Sequence, residues 1–160
     1  MSVSYKIAGL ALAGLFNTLA AGTALAADLE IANPWVRGTV ASQKATGAFM
    51  QLTSKGGVSL VGVASPAASI VEIHEMADDN GVMVMRPLAD GLTIPAGSEE
   101  VLEPGGYHVM LMDLQAQVKE GDAVPLTLVV ENKDGSRQTL EVTAPARALN
   151  APMKMQHGKH

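Results

Sequence analysis

The chain contains no cysteine among its 160 residues. This absence excludes disulfide bonds, and it excludes metal centres that need a thiolate, such as the blue-copper electron-transfer site. A chain without thiols suits an oxidising compartment outside the cytoplasm. Its stability must come from the hydrophobic core, and a domain of this length can bury enough apolar surface to supply it.

Aromatic side chains and basic charge are also scarce. The chain has one Trp, two Tyr and two Phe, so we expect an aliphatic core. Eleven Lys and Arg face 16 Asp and Glu, a formal net charge of −5. This acidic balance argues against a nucleic-acid partner, for which a basic surface is expected. Neither a nucleophile–base pair nor paired carboxylates stand out, and we therefore do not expect an enzyme.

One long apolar run is present, at the start of the chain. Lys6 precedes the apolar run 7–16, and Ala24-Leu25-Ala26 offers a small-x-small cleavage site. Residues 1–26 are therefore predicted to be a cleavable signal peptide that sends the protein to the periplasm. The run is too short for a membrane span, and we expect none after cleavage. The predicted new terminus is Ala27, which disfavours copper monooxygenases that use an N-terminal histidine.

Short β-type segments separated by Gly, Pro, Asn and Asp fill residues 27–149, which we expect to form a single domain. Asn80-Gly81 and Asp134-Gly135 suit hairpin turns with positive φ. A short helix over 39–48 is the one helical expectation. The pattern predicts an all-β fold, an antiparallel sandwich or barrel, followed by a mobile tail over 150–160. The expected strands are 28–32, 46–53, 58–63, 69–76, 82–88, 98–102, 107–113, 124–131 and 138–144.

All four histidines and seven of the nine methionines fall into three clusters. Imidazole and thioether together form a ligand set for copper, and thioether in particular favours Cu(I). Zinc prefers thiolate, imidazole and carboxylate, so a methionine-rich set suits it poorly. The clusters are His74, Met76, Met83 and Met85; His108, Met110 and Met112; and Met153, Met155, His157 and His160.

Alternation along a strand predicts which of these side chains meet. Around His108, the apolar residues 107, 109 and 111 fit the core face, which leaves 108, 110 and 112 on the opposite face. A two-residue loop at Asn80-Gly81 would place Met76 opposite Met85, whereas a four-residue loop over 78–81 would place His74 opposite Met85. A three-residue loop would break the shared face. Glu75 has the other parity, and we expect it to be solvated or salt-bridged.

Methionine is also an adaptable core residue, and packing is the usual explanation for one or two of them. Packing does not explain why His74 and His108 are each followed by methionine two residues later. We therefore favour metal binding for this pair, and we expect the site to be exposed so that a partner can exchange ligands with it. For Met83 and Met112 the argument is weaker, because either can serve packing alone.

These motifs resemble the PCuAC-type periplasmic copper chaperones, whose signature is His, ten residues, Met, about 21 residues and His-x-Met. Here ten residues separate His74 from Met85, and 22 separate Met85 from His108. The phrase from Pro104 to Met112 matches as well, as do residues 33–37 and 121–126. The resemblance implies a cupredoxin-like Greek-key β-sandwich. It also implies a Cu(I) site formed by His74, Met85, His108 and Met110.

The resemblance further implies copper delivery toward cytochrome c oxidase assembly. We expect a monomeric or weakly associated protein whose partner is a cytochrome c oxidase subunit or another assembly chaperone. Two alternatives stay open: a periplasmic copper tolerance or storage protein, and a structural or adhesion sandwich without metal. A second, looser site that prefers Cu(II) is expected in the tail, because imidazole suits Cu(II). The secondary ligand candidates are Met76, Met83, Met112, Met153, Met155, His157 and His160.

Overall fold

The structure is a computed structural model that describes residues 28–150. The predicted signal peptide and residues 151–160 of the predicted tail lie outside this range. Within it the chain forms ten β-strands and no helix. The strands are β1 (Glu30–Arg37), β2 (Ala45–Ser54), β3 (Val58–Ala64), β4 (Ala68–Asp79), β5 (Val82–Pro87), β6 (Leu92–Ile94), β7 (Ser98–Leu102), β8 (His108–Leu114), β9 (Ala123–Asn132) and β10 (Arg137–Arg147).

Nine of these strands were expected from the sequence, with ends that differ by a few residues. The exception is β6, a three-residue strand that was not expected. The helix expected over 39–48 is wrong. Residues between β1 and β2 form a turn closed by a hydrogen bond from the Gln43 N–H to the Val40 carbonyl oxygen. From Ala45 onward the chain is extended in β2, because its apolar residues alternate into the core with a period of two.

The strands pair in the order β5-β4-β8-β2-β1-β10-β9-β3-β6, and β7 pairs with the second half of β2. Only the pairing of β1 with β10, at Val36 and Ala146, is parallel. The run from β5 to β1 forms one layer and the run from β10 to β6 the other. Strand β6 of the second layer contacts β2 and β7 of the first, so the two layers face one another. The predicted all-β sandwich is confirmed.

The core between the layers is aliphatic, as expected from the shortage of aromatic residues. Alternate residues of β2, β8 and β9 point into it and are fully buried. Burying each such side chain contributes about 1.5–3 kcal/mol to folding, which a chain without disulfides requires. Among residues 28–150, the fully buried aliphatic residues larger than alanine are Val36, Leu52, Leu60, Ile94, Leu102, Val109, Leu111, Leu126, Leu128 and Val130.

The hairpin between β4 and β5 has a two-residue turn, and both Asn80 and Gly81 have positive φ, 56° and 85°. The register is that of a two-residue loop, with Met76 opposite Met85. The sequence left this register open, and the four-residue alternative is thereby excluded. At the other predicted turn, Asp134-Gly135, Gly135 has a positive φ and Asp134 does not. The register of β9 and β10 shows that their connection is longer than a two-residue turn.

Candidate metal site

His74 of β4 and His108 of β8 lie directly opposite each other on adjacent antiparallel strands. Their ring centroids are 5.8 Å apart, in an edge-on arrangement. The next residues along the two strands, Ile73 and Val109, are also register partners and are buried in the core. The predicted parity is therefore correct, and the fold brings together two histidines that are far apart in sequence.

Both histidine side chains are buried, contrary to the expectation of an exposed site. His74 is 8% exposed and His108 6% exposed. Alternation gives the face on which a side chain lies, but it does not show what covers that face. Here the ring of Phe49, from the neighbouring strand β2, lies 6.4 Å from the His108 ring. Trp35 of β1 packs on Phe49 at 4.5 Å and extends this cover.

A glycine and two arginines hold the aromatic cover in place. A Cβ on Gly47 would lie 2.6 Å from Cζ of Phe49, so the missing side chain gives the Phe49 ring its space. The guanidinium of Arg37 lies 5.5 Å from the Phe49 ring centre, and that of Arg147 lies 4.8 Å from the Trp35 ring centre. Such cation–π contacts contribute about 0.5–1 kcal/mol each at exposed sites.

The hydrogen bonds of His74 determine which of its nitrogens is free. Its Nε2 lies 2.8 Å from Oε2 of Glu72. A carboxylate only accepts hydrogen bonds, so Nε2 carries the proton and donates it, and Nδ1 keeps its lone pair. That Nδ1 is buried without a partner, and it is the one such side-chain nitrogen or oxygen among residues 28–150. An unpartnered buried polar atom is costly, and a metal ion is one partner that can satisfy a ring nitrogen.

His108 is arranged in the complementary way. Its Nδ1 lies 3.0 Å from the carbonyl oxygen of Gly106. A carbonyl oxygen also only accepts, so Nδ1 donates and Nε2 keeps its lone pair. Each neutral histidine therefore offers one unprotonated nitrogen, with the other fixed by a hydrogen bond. This is the arrangement of metal-binding histidines in general.

The methionines predicted as ligands flank this pair. Met110 follows His108 by two residues on the same face of β8, is half-buried, and lies opposite Glu72. Met85 lies two residues along β5 from Pro87, the direct partner of His74, and is 48% exposed. Met85 is thus a diagonal neighbour of His74 across the hairpin, at a Cβ distance of about 7–8 Å.

The secondary candidates on the domain fall on both sides of the pair. Met76 lies opposite Met85, and Met83 is exposed farther toward the turn. Met112 lies opposite Ile70, beyond Met110 on β8. The tail candidates Met153, Met155, His157 and His160 lie outside the described residues. Glu75 forms a salt bridge with Arg86, 3.3 Å between Oε1 and Nε, as its parity predicted.

Sequence reasoning assigned no role to Glu72, Phe49 or Trp35. The position of Glu72 beside His74 could have been predicted from the sequence, because residues two apart on a strand lie on the same face. For the two aromatic residues, the only local sequence signal was Gly47-x-Phe49. A glycine two residues before an aromatic residue on a strand leaves space on that face for the ring. Their position beside His108 depends on β2 pairing with β8.

Within residues 28–150, no three histidine or carboxylate side chains cluster in a way that could hold a metal ion. The remaining potential ligands near the histidine pair are thioethers and the Glu72 carboxylate. Residues 28–150 contain no helix long and apolar enough to cross a membrane.

A family model described as "Putative lipoprotein LpqE-like" matches residues 29–146. The chain is 34% identical over 114 residues to "Putative lipoprotein Lxx21020" of Leifsonia xyli subsp. xyli, which covers 71% of this chain and 68% of that protein. It is 26% identical over 111 residues to the uncharacterized protein RP573 of Rickettsia prowazekii, covering 66% of this chain and 61% of that one.

Three similar solved structures are relevant. Apo-DR1885 from Deinococcus radiodurans is 29% identical, with a TM-score of 0.57 and coverage of 91% of this chain and 97% of that one. Its Cu(I) form is 30% identical with the same TM-score, covering 79% and 83%. The copper-bound PCuAC domain from PmoF2, 24% identical with a TM-score of 0.58 and coverage of 76% and 93%, supports the fold alone. The fold is that of PCuAC domains, as the sequence predicted.

Proposed function

The chain belongs to the LpqE-like family, and we propose that within it this protein is an exported copper chaperone that binds Cu(I) and transfers it to a partner protein. The observation that carries the proposal is the His74–His108 pair, in which each ring offers one unprotonated nitrogen beside methionine thioethers. Likeness to DR1885, whose Cu(I) form has been solved, supports the same conclusion.

We assign the ligands as Nδ1 of His74, Nε2 of His108, and the thioether sulfurs of Met85 and Met110. Two neutral imidazoles and two thioethers form a soft, uncharged set that favours Cu(I) over divalent ions. The carboxylate of Glu72, hydrogen-bonded to His74, brings a negative charge close to the cation. That charge opposes the cost of placing a cation among half-buried side chains.

The difference in exposure between the ligands suits transfer. The two imidazoles are buried, whereas Met85 is close to half exposed on the hairpin. A partner can therefore approach from the hairpin and replace the thioether first, while the histidines still hold the ion. We propose as partner a copper-accepting periplasmic protein, either a cytochrome c oxidase subunit or another assembly chaperone.

Copper storage or tolerance is the alternative role, because it uses the same ligands. The two roles differ in what happens to the ion. A chaperone releases Cu(I) to an acceptor protein, whereas a storage protein retains it. A structural or adhesion module has no use for two histidines held with free nitrogens and flanked by thioethers.

Anaerobic competition of the protein with a chromophoric Cu(I) chelator tests the proposal. We expect one Cu(I) per folded domain to be withheld from the chelator. Metal content and oxidation state of the protein isolated from its native compartment provide the physiological check. If the protein withholds no Cu(I) and is isolated without copper, the chaperone and storage roles both fail.

A further inference from the structure

The β4–β5 hairpin carries two methionines beyond the proposed ligands, on the same face as Met85. Met76 lies directly opposite Met85, and Met83 lies two residues before Met85 on the same strand. Opposed Cβ atoms in such a pair are about 5 Å apart and diagonal ones about 7–8 Å. Residues two apart on one strand are separated by about 7 Å. Three long, flexible side chains at these spacings can bring their sulfur atoms together at one point.

Packing does not explain these methionines. Met83 is 54% exposed and Met85 48% exposed, whereas the core methionine Met50 is 2% exposed. Val82 beside them is exposed as well. A folded domain gains little stability from apolar side chains that stay in water, so the cluster calls for another explanation.

The position of β5 leaves this cluster accessible. Strand β5 ends the order of paired strands, and among the described strands it pairs with β4 alone. The carboxylate nearest in register, Asp78 opposite Met83, already accepts a hydrogen bond from the Gly81 N–H at 2.9 Å. The face therefore presents the exposed Met83 and Met85 side chains next to the partly buried Met76, and three thioethers are a set that selects a soft monovalent ion.

We propose that Met76, Met83 and Met85 form a second Cu(I) position, weaker than the histidine site, through which copper enters and leaves. This inference rests on the proposed function, since Met85 belongs to both positions. Cu(I) first binds the three thioethers. It then keeps Met85 while His74 and His108 replace Met76 and Met83, and release follows the reverse order. The ion remains Cu(I) throughout, so the exchange needs no oxidant or reductant.

The first test is the Met76→Leu, Met83→Leu double variant of the full chain. Leucine keeps size and hydrophobicity, so the variant should fold. We expect its Cu(I) affinity to stay within threefold of the parent, because the four main ligands are intact. Its rate of Cu(I) loss to excess chelator should fall at least tenfold. Met50→Leu, a core methionine that is 2% exposed, is the control and should change neither quantity. An unchanged exchange rate in the double variant would overturn the proposal.

The second test locates the position directly. Ag(I), a redox-inert substitute for Cu(I), is titrated into the full chain with 13C-labelled methionine methyl groups. In the parent, the first equivalent should shift the Met85 and Met110 signals. In the His74→Ala, His108→Ala double variant, which leaves Met85 free for the hairpin, Ag(I) should shift Met76, Met83 and Met85 while Met50 stays fixed. If Ag(I) moves only Met153 and Met155 in that variant, the hairpin position is overturned. Absence of a shift at Met85 and Met110 in the parent would instead contradict the main site, so the two failures are distinguishable.

Discussion

His74 and His108 face each other across the β4–β8 ladder, and each uses one ring nitrogen for a hydrogen bond that leaves the other free. Because the sheet itself positions both rings, a ligand does not have to order them on binding. Such preorganisation preserves affinity that would otherwise be spent on immobilising side chains. The arrangement also depends on register, since a slip of one residue would turn one histidine toward the opposite face.

The methionine ligands can be tested without disturbing the fold. The Met85→Leu, Met110→Leu double variant retains shape and hydrophobicity at both positions. Its free energy of unfolding should therefore change by less than about 1.5 kcal/mol per site. Cu(I) affinity should fall sharply, because leucine has no donor atom. Chelator competition measures it. Met50→Leu, a core methionine, is the control and should leave affinity unchanged. Equal affinity in the double variant and the parent would rule these two methionines out.

Glu72 should act as a positioning residue for His74. Glu72→Gln keeps an oxygen that accepts a hydrogen bond from the Nε2–H group but removes the negative charge. Glu72→Leu removes both the hydrogen-bond acceptor and the charge. We expect 15N NMR of the apo protein to show the Nε2-protonated form of His74 in the parent and in Glu72→Gln. In Glu72→Leu that preference should be lost, and Cu(I) affinity should drop about 10–100-fold, as for other partners of metal-bound histidines.

The two Glu72 variants also separate charge from hydrogen bonding. If Glu72→Gln binds Cu(I) like the parent, the hydrogen bond carries the effect; if it resembles Glu72→Leu, the charge does. A parent-like tautomer and affinity in Glu72→Leu would show that Glu72 has no role at the site.

The sequence predicted the fold class and the shared face of the histidines because both depend on local patterns. Nine strands were marked by turn residues, and alternation around His108 placed its side chain correctly. Strand β6 was missed, since Leu92–Ile94 is too short to show alternation. The burial of the histidines was missed because it depends on β2 lying beside β8, a pairing of distant segments. The ligand set itself stays a prediction.

Strand β8 carries both a core residue and a proposed ligand, and replacing each by alanine should affect stability and copper binding differently. Leu111 is fully buried, and its replacement by alanine should lower the free energy of unfolding by about 2–5 kcal/mol while leaving Cu(I) affinity unchanged. His108→Ala should cost less stability, because its side chain lies on the face away from the core, yet it should weaken Cu(I) binding strongly. Denaturant unfolding of the apo proteins measures the first quantity. A larger loss of stability in His108→Ala than in Leu111→Ala would identify His108 as a structural residue.

The turn at Gly81 fixes the register that aligns the hairpin methionines. Its φ is 85°, and a Cβ added there would meet no atom within 4 Å, so a substitution is penalised by the backbone alone. Gly81→Ala should therefore destabilise the domain by about 1–2 kcal/mol. Gly62→Ala is the control, since an added Cβ there makes an ordinary 3.6 Å contact with Val129 and its φ lies outside the left-handed region. An equal loss of folding stability in the Gly81→Ala and Gly62→Ala variants would contradict a conformational role for Gly81.

We expect the tail to bind Cu(II), an expectation that rests on its residue types alone. His157 and His160 supply imidazoles that suit Cu(II), whereas the thioethers proposed in the folded site suit Cu(I). The tail would therefore capture Cu(II), and the ion would pass to His74, His108 and their methionines only after a separate one-electron reductant has converted it to Cu(I). Removing residues 150–160 should abolish a nitrogen-rich Cu(II) electron paramagnetic resonance signal while the Cu(I) affinity of the domain stays unchanged. Should the Cu(II) spectrum be the same with and without these residues, the tail takes no part in copper capture.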